Sequence, residues 1–181
     1  MGRLTEPGTV PVLIVTGPVG VGKTTVAGAI SERLEEVRLP HTIVDMDALR
    51  SSFPRPDGDP FHEELGLANL ADVWRNSRAT GSRRLVLADV VETPDLSGYC
   101  RAIPGADIVV VRLVADAETN AARLRRRDSG SGLEWHLARA VELAELLERN
   151  GIGNLVVDAS EASPAELAAE ILARAGWLAA D

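Results

Sequence analysis

The sequence predicts an α/β fold: a parallel sheet of five strands covered by helices on both faces, a three-layer α/β/α sandwich. Three observations carry this. Five short apolar runs, Val12–Val15, Ile43–Val44, Leu85–Ala88, Ile108–Val114 and Leu155–Val157, are rich in β-branched residues or leucine, as strands buried on both faces are. Amphipathic stretches separate them, and strands alternating with helices imply right-handed crossovers in one parallel sheet. The length of 181 residues fits a single domain over 1–181, with enough chain to bury roughly 70% of its unfolded surface.

In chain order, the first run lies between Pro11 and Gly17 and is followed by a helix whose apolar face is Val26, Ile30, Leu34 and Val37. After the second run, Ser51–Pro60 (SSFPRPDGDP) concentrates prolines, aspartates and a glycine, so it reads as a turn-rich loop. The third run ends at Asp89. After the fourth, Ala117 to Asp128 reads as a helix, and Asp128–Gly132 (DSGSG) as a small flexible link. The next helix places Leu133, Leu137, Val141, Ala144 and Leu147 on one face. The last one opens on Ser163-Pro164-Ala165-Glu166, a capping serine with proline and glutamate behind it, and buries Leu167, Ala168, Ile171, Leu172 and Ala175. No internal repeat is present.

Composition excludes several function classes. Hydrophobic residues make up 45% and charged ones 25%, so neither disorder nor a fibrous repeat is expected. A lone cysteine, Cys100, offers no internal disulfide and no thiolate cluster for zinc, which points to a reducing cytoplasm. No apolar run is long enough to span a membrane, and MGRLTEPGT lacks a leader pattern. A formal charge of −8 argues against binding nucleic acid. Of 19 basic residues 18 are arginine, so arginine runs carry less weight than the single lysine, Lys23.

That lysine sits in GPVGVGKT, Gly17 to Thr24, which fits the Walker A pattern G-x-x-x-x-G-K-[ST] and stands where such a loop belongs, between a strand and a helix. The backbone of Gly17, Pro18, Val19, Gly20, Val21, Gly22 and the first helical residues through Thr25 is the candidate polyphosphate cradle. Lys23 is expected on the β/γ oxygens and Thr24 on Mg²⁺. A plain glycine-rich turn is the alternative. No NKxD-type guanine motif occurs, so ATP is the expected nucleotide.

The acceptor side begins at VDMDALR, Val44 to Arg50, beyond the end of the second strand. In extended chain Asp45 and Asp47 point the same way, one available as general base and the other to orient Mg²⁺. Alternatively Asp47 caps a helix starting at Ala48. Asp89, ending an apolar strand, has the Walker B form and is a metal candidate beside Thr24, or else an ordinary turn residue. Phe53, Phe61 and Trp74 belong either to acceptor recognition or to the core, and His62 and His136 read as surface histidines. Arg123-Leu-Arg-Arg-Arg127 running into the glycine-rich link has the make-up of a lid, or of a solvated helix face.

The P-loop together with D-x-D-x-[VIL]-R resembles the small-molecule kinases related to adenylylsulfate kinase, with chloramphenicol phosphotransferase, shikimate kinase and gluconate kinase as more distant cousins. The likeness covers nearly the whole chain but is sharp only at Gly17–Thr25 and Asp45–Arg50. It implies a P-loop NTPase fold with strand order 2-3-1-4-5, an acceptor-side insert over about 48–82 and a lid over about 123–133. It also implies Asp45, Asp47 and Arg50 on acceptor and phosphate, Arg123 on adenine, Arg127 on the phosphates, and the loop Asp158-Ala159-Ser160 beside the base. Phe53 in the insert and Arg139 beyond the lid complete the expected acceptor contacts. Ala48 stands where adenylylsulfate kinases carry asparagine, and Arg127-Asp128 is followed by Ser-Gly-Ser-Gly in place of their lid motif. The expected activity is transfer of the ATP γ-phosphoryl group to a small hydroxylated molecule, by a monomer or homodimer. Open alternatives are adenylylsulfate kinase itself, an antibiotic-modifying phosphotransferase and an ATPase without small-molecule acceptor.

Overall fold

A computed structural model describes residues 8–179; the stretch read above for a leader lies outside them up to residue 7. β1 (Val10–Thr16) leads through the glycine-rich loop into α1 (Lys23–Glu36), and β2 (Thr42–Asp45) runs straight into the short α2 (Met46–Arg50). The insert then contributes α3 (Glu63–Ala79) before β3 (Leu85–Ala88), and α4 (Ser97–Ala102) precedes β4 (Ala106–Val114). α5 (Ala117–Arg127), α6 (Ser131–Arg149), β5 (Leu155–Asp158) and α7 (Pro164–Arg174) complete the order. All strand pairs are parallel and the sheet order is β2-β3-β1-β4-β5, as expected.

β1 is central, and both of its faces are buried, so successive residues feed opposite layers. Leu13 and Val15 pack with Val26, Ile30 and Leu34 of α1 and with Leu167, Ile171 and Leu172 of α7. Val12 and Ile14 face the other layer, against Met46, Leu70, Trp74, Tyr99 and Leu147. Each fully buried Leu or Ile contributes about 1.5–3 kcal/mol. The edge strands keep one face wet, with Ile43 and Val156 exposed.

Some expectations change. α1 ends before Val37, which is exposed. On α6 the buried face is Ala140, Leu143 and Leu147, while Val141 and Ala144 face solvent. The flexible link shrinks to residues 128–130, because α6 already begins at Ser131. Trp74 is a core residue, 3% exposed. The capping box at Ser163 and Glu166 forms as read.

Candidate active site

Residues that follow the carboxyl ends of β1, β2, β3 and β5 meet in one cleft of about 920 Å³, where ligands of open α/β sheets lie. The loop between β1 and α1 forms its floor. Gly17, at φ 146°, passes so close to β4 that a Cβ would meet the Leu113 carbonyl at 2.6 Å. Gly20, at φ 85°, lies under α5, where a Cβ would meet Leu124 Cγ at 2.6 Å. α5 also grips this loop by side chain: Asn120 Nδ2 donates to the Val19 carbonyl at 2.9 Å and Arg123 Nη1 to the Val21 carbonyl at 3.3 Å.

Lys23 folds back over the loop, its Nζ donating to the carbonyls of Gly17 (3.1 Å) and Pro18 (3.2 Å). Burial lowers the ammonium pKa; the charges of Asp47, Asp89 and Asp45 oppose this, in that order, and Arg127 adds to the lowering.

The two aspartates after β2 have different surroundings. The strand stops at Asp45 and a helix starts at Met46, so the extended alternation expected of them does not occur. Asp45, not Asp47, is the cap: its Oδ1 accepts from the Asp47 backbone N–H at 3.0 Å. Its Oδ2 accepts from Thr24 Oγ1 at 2.9 Å. Asp47 lines the cleft, exposed, in the first turn of α2.

Asp89 departs from the metal role read for it. Its carboxylate is fully buried and accepts from Arg50 Nη1 at 2.5 Å, Arg50 Nη2 at 2.9 Å, Tyr99 Oη at 2.5 Å and the Val90 N–H at 2.7 Å. It is occupied as the anchor of Arg50. Arg50 donates further to Glu63 Oε2 at 2.9 Å. Burial alone would lower the Arg50 pKa; the hydrogen bonds and charge of Asp89, with Glu63 behind them, override it and raise it. Burial likewise pushes Glu63 up, against the pull of Arg50. Nothing in the sequence marked Glu63 or Tyr99, the only tyrosine, as partners of this arginine.

Phe53 corrects another expectation: it is 91% exposed and lies outside the cleft, whereas Phe61 lines it. His62 is buried instead of superficial, at φ 53° before α3, and lines the cleft as well. Arg139 reaches the cleft from α6 and is paired with Glu92 and, at 3.0 Å, with Glu142.

The residues read as a lid also meet the cleft. Arg123 Nη2 donates to the carbonyls of Ala159 (2.7 Å) and Ser160 (3.3 Å), tying the loop after β5 to the phosphate loop. Arg127 forms a bidentate pair with Asp128 at 2.9 Å, whose hydrogen bonds raise the guanidinium and lower the carboxyl. Asn120 was missed by sequence reading; its signal is a polar side chain one turn before Leu124 on the buried face of α5, at 7% exposure.

Thr24 and Asp45 suit a magnesium ion. Cis ligands of an octahedral Mg²⁺, each 2.0–2.1 Å from the metal, lie roughly 2.9 Å apart, the separation of these two oxygens. No group of three or more His, Cys, Asp or Glu side chains able to hold a metal occurs among the described residues, and none of the described helices is long and apolar enough to cross a membrane.

Comparison with solved structures shows the fold independently. The tunicamycin resistance protein of Deinococcus radiodurans superposes with a TM-score of 0.65 at 22% identity, over 92% of this chain and 96% of that one. A gluconokinase from Sinorhizobium meliloti 1021 gives 0.59 at 23% identity, over 96% and 94%. A shikimate kinase from Bacteroides thetaiotaomicron gives 0.62 at 16% identity, over 94% and 100%. The recognised group is therefore the right one for the fold: a parallel P-loop kinase sheet in the order 2-3-1-4-5. No curated protein matches the chain in sequence. The AAA domain family matches residues 13–148, from β1 to near the end of α6, and this chain belongs to it.

Proposed function

We propose that this protein transfers the γ-phosphoryl group of ATP to a hydroxyl of a small molecule. The observation that carries the reading is that Lys23 on the glycine-rich loop and Asp47, an exposed carboxylate just beyond β2, line one cleft. A bare nucleotide switch has no use for such an aspartate at the acceptor end.

In this reading the backbone of Gly17–Thr25 cradles the polyphosphate, and Lys23 leaves its two carbonyls for the β/γ oxygens. Thr24 and Asp45 would hold Mg²⁺, which would neutralise charge on the phosphate oxygens. Asp47 accepts the proton of the acceptor hydroxyl as the new O–P bond forms; the bond from Pγ to the β,γ-bridging oxygen breaks and ADP leaves. Arg127 exchanges Asp128 for the transferring group as the lid closes, and Arg123 keeps the base loop against the phosphate loop.

The test is ADP release with Mg²⁺–ATP across a panel of hydroxylated acceptors: sugars and sugar acids, shikimate, adenylylsulfate, nucleosides, aminoglycosides and phenicols. The expected result is a rate above the basal one with a subset of them, with phosphorylated product. ADP release indifferent to every acceptor would favour an ATPase and overturn the reading.

A further inference from the structure

Where α5 gives way to α6, one carboxylate is claimed from both sides. Asp128, at the end of α5, pairs with Arg127 through both oxygens, Oδ1 with Nε and Oδ2 with Nη2, each at 2.9 Å. His136 of α6 brings its Nδ1 to 2.7 Å from the same Oδ2. That nitrogen is buried and makes no hydrogen bond, so the contact is close without being aligned. The surface histidine expected here is in fact half-buried, its ring 30% exposed and set edge-on to Trp135 at 5.1 Å between centroids.

Arg127 has the exposed side chain of the three and lines the cleft with Lys23 and Asp47. To reach a transferring phosphoryl group it must let go of Asp128. A partly enclosed carboxylate stripped of its cation is costly unless another donor replaces it. His136, once protonated, is a cation already within bonding distance of Oδ2. Arg139, one turn further along α6, is taken by Glu92 and Glu142. Arg126 of α5 and, from the acceptor side, Asp47, Arg55, His62 and Glu63 line the same cleft. The groups that hold the Asp128 carboxyl down are Arg127 first and His136 after it.

We propose that His136 is a positioning residue for phosphoryl transfer: protonated, it takes Asp128 over from Arg127 and so frees Arg127 to reach the γ-phosphoryl group. This deepens the phosphotransferase reading and rests on it. With Arg127 on Asp128, His136 adjoins a carboxylate that is already neutralised; with Arg127 on the phosphate, it faces an uncompensated one. An opposite charge favours the protonated imidazole, so His136 titrates at higher pH once Arg127 has left. Release of Arg127 therefore takes up a proton. It is fully supported below the free-state midpoint and loses that support as pH rises through the midpoint of the complex.

The chain has three histidines, His41, His62 and His136, so imidazole NMR signals can be assigned with single His→Gln variants. The full chain is titrated free, with Mg²⁺–ADP, and with Mg²⁺ and β,γ-methylene-ATP, which keeps the γ group that ADP lacks. The His136 midpoint is expected to rise by about half a pH unit or more with the methylene analogue, and to stay within about 0.2 of the free value with ADP. Asp128→Asn should abolish the rise with both nucleotides still bound. A rise that survives Asp128→Asn would mean that the imidazole touches the phosphates itself, and would overturn the proposal; so would a midpoint that the analogue leaves unmoved. Affinity gives a second readout. Between pH 6 and pH 8 the preference for the analogue over ADP should fall about threefold more in the parent than in His136→Gln, which cannot take up the proton. Equal slopes would contradict the coupling. A chain that binds neither nucleotide loses the phosphotransferase reading, whereas one that binds both with His136 unmoved loses only the role given to this histidine.

Discussion

One end of the cleft is a contiguous glycine-rich loop; the other is assembled from side chains far apart in sequence. The phosphate loop is nine consecutive residues, Gly17–Thr25, shaped by glycines that leave no room for a Cβ against β4 and α5. The acceptor end is assembled from Arg50, Glu63, Asp89, Tyr99, Glu92 and Arg139, whose pairings span up to 47 positions of sequence. One end waits with a lysine turned back on its own loop. The other has Arg50 and Arg139 already matched by carboxylates. The difference teaches that an arginine near an active site is no evidence of an anionic ligand until its own partners have been counted.

The largest expected effect tests whether Asp89 is an anchor or a metal ligand. Asp89→Ala leaves Arg50 buried without its bidentate partner and Tyr99 Oη without an acceptor, so urea unfolding should show a loss of about 3–5 kcal/mol. Glu63→Gln, at the exposed end of the same network, should cost no more than about 1 kcal/mol. A tolerated Asp89→Ala with weakened Mg²⁺ dependence would restore the metal role and break the comparison.

Asp47→Asn comes next. Because Asp45 supplies the cap of α2, Asp47 owes nothing to the helix that asparagine would fail to provide. Turnover with a competent acceptor should fall by about 10²-fold or more, with ATP affinity within about threefold of the parent. Unchanged turnover would remove the base from the account.

A smaller effect concerns pH. Lys23 has a lowered pKa without nucleotide, because of burial, and phosphate oxygens should raise it again. Binding therefore takes up a proton wherever the free protein has lost it. ATP affinity should be greatest below the lowered pKa and fall as pH rises through it toward the value in the complex. Calorimetry in buffers of different ionisation enthalpy would show proton uptake over that window; uptake of none at any pH would place the phosphates away from Lys23.

How much of this was legible in the chain follows the same division. Gly17–Thr24 is contiguous, so spacing alone located it, and the strands and the Ser163 capping box are likewise local patterns. The five-residue α2 is too short for periodicity to register, so the sequence offers a cap only at Asp47, as the alternative to a catalytic role, whereas Asp45 is the residue that caps. α6 carries leucines on more than one face, so periodicity alone does not say that Ala140, Leu143 and Leu147 are the buried ones and that Arg139 lines the cleft. Asp89 has the form of a Walker B carboxylate, and only the approach of Arg50, 39 positions away, shows that it is spent on an ion pair. Phe53 and Phe61 flank the same proline-rich turn; the path of that turn put one in solvent and the other in the cleft.

The claim on which the rest depends is that Lys23 is the phosphate contact, and its being the only lysine makes this directly measurable. An amine-selective reagent, read by peptide mass spectrometry, should modify Lys23 in the nucleotide-free protein, where burial favours the neutral, nucleophilic amine. Saturating Mg²⁺–ATP should slow that modification by about tenfold or more, since the ammonium is then charged, paired and covered. Equal rates of Lys23 labelling with and without saturating nucleotide would contradict the account and reduce the glycine-rich loop to a turn.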